Sequence, residues 1–154
     1  MKTLIGFTLL TCLFYLGVSI GVAAPDKLQA KNILIRTNRV IGHAQMSVKR
    51  GGVYSGDLAK SVVHARTAKK LFLEGNYLRA IHHSRLARVL ANQAIKANKV
   101  KLPMDASFTA TEVQLFGELP SDEELSKEAA LSQDANLKDQ DLMNGNLLID
   151  FVEG

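Results

Sequence analysis

The 154-residue chain contains one cysteine, three prolines and no tryptophan. The cysteine, Cys12, lies inside an apolar N-terminal run, so a chain that loses this run has no disulfide, thiol nucleophile or cysteine metal site. No long stretch alternates β-branched with polar residues, which argues against a β-sandwich or β-barrel. The scarcity of proline and the absence of strand patterns therefore favour an all-α protein.

Acidic residues are scarce in the first two thirds of the chain. Residues 25–102 contain 16 Lys and Arg against three acids, Asp26, Asp57 and Glu74, a net charge of +13. Residues 103–154 contain two Lys against 12 acids, a net charge of −10. This division predicts either an acidic tail that docks on or screens a basic body, or a basic body that binds an anionic partner.

The N-terminus has the pattern of a secretory signal peptide. Lys2 precedes an apolar run over residues 4–22, and small residues follow at Gly21, Ala23 and Ala24. Cleavage after Ala23 is favoured because a proline directly after the cut, as Pro25 would be after Ala24, is a poor substrate. The alternative is an uncleaved membrane anchor over residues 4–24, since ~20 apolar residues span a bilayer. Either way we expect export, to the periplasm, the cell envelope or the medium.

Three segments with apolar or small residues every three or four positions predict amphipathic helices. The first runs from about Asp26 to Arg50 and stops at two glycines. The second begins near Ser55 or Asp57, either of which is expected to cap it, and ends at Gly75. The third runs from an Asn76 cap to about Asn98. Short linkers make neighbouring helices antiparallel, so residues 24–102 are predicted to form a basic three-helix bundle.

The acidic tail, residues 103–154, has few apolar residues and no long helical period. Ser121 and Glu124 form a capping-box pattern, which predicts one short helix from about Asp122 to Leu131. Residues 147–152 are apolar enough to dock. The predicted fold is therefore an all-α, antiparallel three-helix bundle with a partly disordered acidic C-terminal tail.

The corner between the second and third helices resembles a tetratricopeptide repeat. The glycine, aromatic, alanine, aliphatic and alanine positions of that repeat's second half are occupied here by Gly75, Tyr77, Ala80, Ile81 and Ala87. The first half departs from the family, because its four signature positions hold His64, Thr67, Ala68 and Leu71, of which only the last two fit loosely. The resemblance covers residues 61–94 without a second copy, so it implies a single degenerate hairpin. The role it implies is protein interaction on a helical groove.

The sequence carries no recognisable catalytic or metal-binding pattern. Its histidines are His43, His64, His82 and His83, and adjacent helical residues point about 100° apart, so the last two do not form a chelating pair. The chain also lacks HExxH, GxSxG and phosphate-binding glycine loops. We therefore predict no catalytic, cofactor or metal residues and a protein that is not an enzyme.

A cluster of basic residues on the second and third helices is the strongest functional signal. The candidate residues for binding an anion or a partner are Arg66, Lys69, Lys70, Arg79, His83, Arg85 and Arg88. The leading expectation is a non-catalytic helical interaction module for an unknown protein partner. The alternative is an anion-binding protein, for a phosphate-rich, glycan or lipid-headgroup ligand such as an anionic polymer or membrane surface, whose acidic tail screens its basic face. Nucleic acid is disfavoured by the export signal and by the shortage of aromatics in the basic region.

The small residues at 21–24 predict that the mature chain begins near Ala24. Intact-mass spectrometry of the protein recovered from its own cells should therefore find a species lacking the first 23 residues. An intact Met1 in the membrane fraction would favour the anchor instead.

Overall fold

The computed structural model describes residues 24–132, 134, 136–145 and 147. The predicted signal peptide and nearly all of the alternative anchor lie outside the described residues, as does the apolar 147–152 patch except Leu147. The described part contains five α-helices and no strand: α1 Lys27–Gly51, α2 Asp57–Leu73, α3 Tyr77–Ala97, α4 Ala110–Phe116 and α5 Asp122–Ala130. Among these helices, none has the length and apolar character to cross a bilayer. The predicted all-α class is confirmed.

The ends of the first three helices follow the capping signals of the sequence. Asp26 accepts a hydrogen bond from Gln29 N at 2.7 Å, and the Gln29 side chain accepts one from Asp26 N at 3.0 Å. Gly52 ends α1 with a left-handed φ of 70°, as the double glycine predicted. The Asn76 side chain caps α3 by accepting a hydrogen bond from Arg79 N.

The described residues form two apolar clusters in the core of the bundle. The first lies toward the end of α1 and α3 and is built around Val40, Ile41, Leu58, Ala91 and Ile95. The second lies toward their beginning and is built around Ile33, Leu34, Phe72, Ala80 and Ile81. Alanines on α3 allow its backbone to approach its neighbours closely, and Ala80, Ala87, Ala91 and Ala94 are completely buried.

A buried polar layer lies between these clusters and is centred on Arg88. Its guanidinium donates to Thr37 Oγ1 at 3.0 Å, to Ile33 O at 3.1 Å and to both carboxylate oxygens of Glu112, at 2.9 and 3.2 Å. It also lies 4.7 Å from the centre of the Phe108 ring. Arg88 is completely buried and Glu112 is 4% exposed. The tail therefore supplies the acid for a charge at the centre of the bundle.

The tail contributes further to the core, in part through α4, a helix that the sequence did not predict. Thr109 and Glu112 form a capping box at the start of α4, and Phe116 at its end joins the second apolar cluster. Leu142 and Leu147 join the first cluster. The predicted short helix is confirmed as α5, which is capped by Ser121.

The start of α2 differs from the prediction that Ser55 or Asp57 caps it. The N-cap residue is Gly56, in a left-handed conformation, and Ser55 Oγ accepts only a long 3.4 Å bond from Asp57 N. The buried carboxylate of Asp139 in the tail instead accepts hydrogen bonds from Gly56 N and Ala59 N, both at 2.8 Å. Ser55 Oγ itself donates to Asp57 at 2.7 Å, so the two local candidates engage each other.

We predict that Glu112→Ala destabilises the protein severely, because it leaves the buried Arg88 without its counter-charge. Loss of one partner of a buried ion pair costs about 3–5 kcal/mol, a large share of the stability of a small domain. Urea unfolding followed by circular dichroism measures the change. The matched control is Glu118→Ala, since Glu118 is an exposed acid just beyond α4. Equal stability of both variants would show that the pair is dispensable.

Candidate functional site

The α5 helix lies on α2 and α3, and we call the surface beneath it the α5 seat, formed by His64 of α2 and by Arg79, His83 and Arg85 of α3. Arg79 donates to Glu124 at 2.6 Å and to both carboxylate oxygens of Glu128, one of them at 3.0 Å. Glu124 and Glu128 are four residues apart, so both point to the same side of α5. One arginine thus holds two turns of α5.

Arg85 and Arg66 make the other ion pairs with this part of the tail. Arg85 donates to Asp122 at 2.6 Å, and Arg66 donates to Asp134 at 2.5 Å. Asp122 is exposed and Asp134 is partly exposed, so each pair contributes at most about 1 kcal/mol. The buried Nε of Arg85 has no hydrogen-bond partner among the described residues.

The seven basic candidates do not form one exposed surface. Arg88 is part of the core polar layer, and His83 is completely buried, so neither faces solvent in this arrangement. Lys69 is partly exposed and Lys70 is exposed, and neither has an acid partner among the described residues. Of the seven candidates, only Arg79, His83 and Arg85 are brought together on one surface.

A buried histidine pair lies under α5. The Nδ1 atoms of His64 and His83 are 3.0 Å apart, and His83 Nε2 lies 3.0 Å from Glu128 Oε2. Because the carboxylate needs a donor, a neutral His83 carries its proton on Nε2 and accepts at Nδ1. His64 must then donate from its own Nδ1. The pair is satisfied when both rings are neutral, whereas two protonated rings would bring two N–H groups face to face.

Burial and neighbouring charges shift the ionisation of this group. Burial and the adjacent His83 lower the pKa of His64 from 6.5 to about 4. Burial likewise lowers the pKa of His83, despite its hydrogen bond to Glu128. The hydrogen bond from Arg79 and the one from His83 lower the pKa of Glu128 from 4.5 to about 2, against the opposing effect of burial. At neutral pH, Glu128 is therefore an ionised carboxylate that lies between the Arg79 guanidinium and the neutral His83 ring.

His82, next to His83, has a separate structural contact. Its Nε2 lies 2.7 Å from Phe116 O, which ties α3 to the end of α4. Burial lowers the pKa of His82, although this backbone contact opposes the shift. The two adjacent histidines thus serve different tail segments, α4 and α5, in agreement with their divergent directions on a helix.

A cleft of about 450 Å³ remains beside the α5 seat. Its apolar lining comes from α2, α3 and the tail: Val63, Leu86, Val89, Leu90, Ala129, Ala130 and Leu137. Its polar lining comprises Lys60, His64, Gln93, Asp122 and Ser126. The only completely buried apolar side chain of α5 is Leu125, with Ala129 at 3% exposure beside it. The α5 helix therefore covers this surface without filling it.

The cations of the seat pair with carboxylates of α5. Within the described residues there is no group of three or more His, Cys, Asp or Glu that could hold a metal ion. A histidine with a pKa of about 4 is a weak base at neutral pH, so His64 is poorly matched to general-base work.

Sequence reasoning did not identify Glu112 and Glu128, the tail acids that pair with Arg88 and Arg79. The capping-box spacing of Thr109 and Glu112 was the available signal for the first, and the four-residue spacing of Glu124 and Glu128 for the second.

Comparison with protein families, with curated proteins and with solved structures finds no match to this chain.

We predict that the stability of the protein falls between pH 7 and pH 5. The folded form binds protons at His64 less readily than the unfolded form, so stability conferred by neutral His64 is lost as pH drops from 6.5 toward 4. This residue alone should account for about 2 kcal/mol at pH 5. Urea unfolding at both pH values should show a smaller loss for His64→Gln than for the native chain.

The matched control for this measurement is His43→Gln, because His43 is a partly exposed histidine on α1, away from the seat. It should retain the native pH dependence. An unchanged slope in His64→Gln would contradict the assignment of the pH effect to the buried pair.

Proposed function

We propose that this chain is an exported, non-catalytic protein-interaction module whose α5 seat binds an acidic amphipathic helix of a partner protein. In this proposal α5 is an internal substitute for the partner helix. The observation that carries it is the match between Arg79, His83 and Arg85 on α3 and the acids of α5.

The charge pattern defines the ligand. Arg79 and His83 are one turn apart on α3 and engage Glu128, while Arg79 also reaches Glu124 one turn earlier on α5. A ligand helix with two acids at this spacing and a leucine between them, as Leu125 is in α5, would reproduce these contacts. The seat therefore selects for acids on one side of a helix, with an apolar residue beside them.

The packing of α5 against the bundle is weak enough for a partner helix to displace α5. Its ion pairs are partly exposed and individually weak, and burial of Leu125 adds about 2 kcal/mol. The neighbouring α4 is held by the buried pair of Arg88 and Glu112, which is much harder to break. The cleft beside α5 offers extra apolar surface that a longer or bulkier partner helix would cover. A partner could therefore replace α5 while α4 stays in place.

The α2–α3 hairpin that forms the seat is also the segment that resembles a tetratricopeptide repeat, in which helical grooves bind peptides. The resemblance lies in the corner residues around Gly75 and Tyr77, and the cations of the seat are not part of the repeat's motif.

The test uses a fluorescein-labelled peptide with the sequence of residues 119–132, added to the chain of residues 24–154, which contains every contact described above. In the native chain, α5 is tethered and competes at high effective concentration, so the peptide should bind weakly. Glu124→Ala combined with Glu128→Ala weakens the internal α5 and should improve the peptide's Kd by about tenfold or more. Fluorescence anisotropy measures both values.

The control is Glu123→Ala combined with Lys127→Ala, which removes an exposed pair on α5 that does not touch the seat. This variant should bind the peptide as the native chain does. Failure of the Glu124 and Glu128 double variant to bind more tightly than this control would overturn the proposal.

An anion-binding protein screened by its own tail is the second candidate. It is favoured by one observation: five of the seven basic candidates, Arg66, Arg79, His83, Arg85 and Arg88, contact tail acids. In that case the double variant would gain affinity for heparin rather than for the peptide. Binding to heparin would also decline steeply with salt, whereas peptide binding supported by apolar contact would decline less.

A further inference from the structure

The bundle has a second charged surface, at the end where α1 and α3 both terminate. We call it the basic end, and it consists of Lys49, Arg50, Lys96, Lys99 and Lys101. Val53 and Tyr54, in the loop that follows α1, lie at the same end and are each 44% exposed. No residue of this surface contributes to the α5 seat.

Specific contacts hold the two helix ends together. The Asn98 side chain accepts a hydrogen bond from Val53 N at 2.9 Å and donates one to Val53 O at 3.0 Å. Gly51 permits this approach, because a Cβ at that position would lie 2.2 Å from Asn98 Oδ1. The His43 ring lies 3.2 Å from Lys101 O and ties the segment after α3 to α1. The loop is thus fixed through its backbone, and the side chains of Val53 and Tyr54 remain exposed.

The cations of the basic end are not neutralised by the described part of the tail. All five are exposed, and none has an acid partner among the described residues, in contrast to Arg66, Arg79, Arg85 and Arg88. Lys49, Arg50 and Lys96 lie in last helical turns, where cations stabilise the helix dipole. That effect does not account for Lys99 and Lys101, which follow α3.

Lys99 adopts a backbone conformation that disfavours its side chain. Its φ is 56°, the only positive value at a described residue other than glycine. This position just after a helix is usually occupied by glycine, which has no Cβ to strain. A lysine here therefore costs some stability, and backbone strain of this kind clusters at functional positions.

We propose that the basic end docks on an anionic phospholipid bilayer, with Val53 and Tyr54 entering the interface. Four of the five cations are lysines, whose point charges suit a diffuse layer of headgroups better than a bidentate site for one anion. A tyrosine and an aliphatic residue amid such charges match the composition of the bilayer interface, where aromatic rings with a polar tip are favoured.

The first test measures co-sedimentation of residues 24–154 with vesicles of phosphatidylcholine, with and without phosphatidylglycerol. This chain contains every contact described above and lacks the apolar run of residues 4–22, which would bind any bilayer. Binding is expected only to vesicles that contain phosphatidylglycerol. Lys99→Gly should raise Tm by relieving strain and weaken vesicle binding about fivefold, the effect of one basic residue near an anionic surface. Native binding by Lys99→Gly would overturn the proposal.

A charge-matched comparison separates the basic end from net charge. Lys49→Gln, Lys96→Gln and Lys101→Gln together should weaken vesicle binding about a hundredfold. The control combines Lys27→Gln, Lys69→Gln and Lys70→Gln, at the opposite end of the bundle, and should lose far less. Equal losses would show attraction by overall charge alone and would contradict a defined docking surface.

Tyr54→Trp distinguishes a bilayer from a soluble polyanion, because the chain contains no other tryptophan. Its emission should shift to shorter wavelength with phosphatidylglycerol vesicles and stay unchanged with heparin. An unshifted emission with those vesicles, or an equal shift with heparin, would contradict insertion of the loop.

Discussion

The rest of the structure depends on the buried ion pair between Arg88 and Glu112. A guanidinium taken out of water needs both a counter-charge and acceptors for its N–H groups. Residues 25–102 contain only Asp26, Asp57 and Glu74 as acids, and all three lie at helix ends, away from the middle of the bundle. The acid therefore has to come from the tail, which makes residues beyond Pro103 part of the folding unit.

The segments of the tail differ in how deeply they are buried against the first three helices. Glu112 and Asp139 are buried and accept hydrogen bonds from Arg88 and from backbone N–H groups at the start of α2. Phe116 is buried in the second apolar cluster. The α5 helix between these positions relies on partly exposed ion pairs and one buried leucine. A truncation after Pro103 would thus remove core contacts as well as charge, and substitutions confined to α5 are the sharper probe of what the α5 seat binds.

The pairing of tail acids with basic residues also determines which parts of the surface keep unpaired positive charge. The tail acids cover α3 at Arg79, Arg85 and Arg88, so the excess charge of the bundle is concentrated elsewhere. At the basic end, the described tail leaves five cations without a partner. The molecule therefore carries two surfaces with different proposed roles, a seat already occupied by its own acidic helix and an open cationic end beside an exposed aromatic side chain.

The sequence by itself determined the all-α class and the bounds of α1, α3 and α5, because caps, glycine stops and apolar periodicity act over a few neighbouring residues. It did not determine that Arg88 and His83 are internal, since both look like surface residues of a basic helix until their tail partners are known. The sequence also did not predict that Asp139 caps α2, because Asp139 lies 80 or more positions away from the amides that it binds. Only the tertiary structure decided these contacts, because the energy of a buried charge depends on which distant group is folded against it.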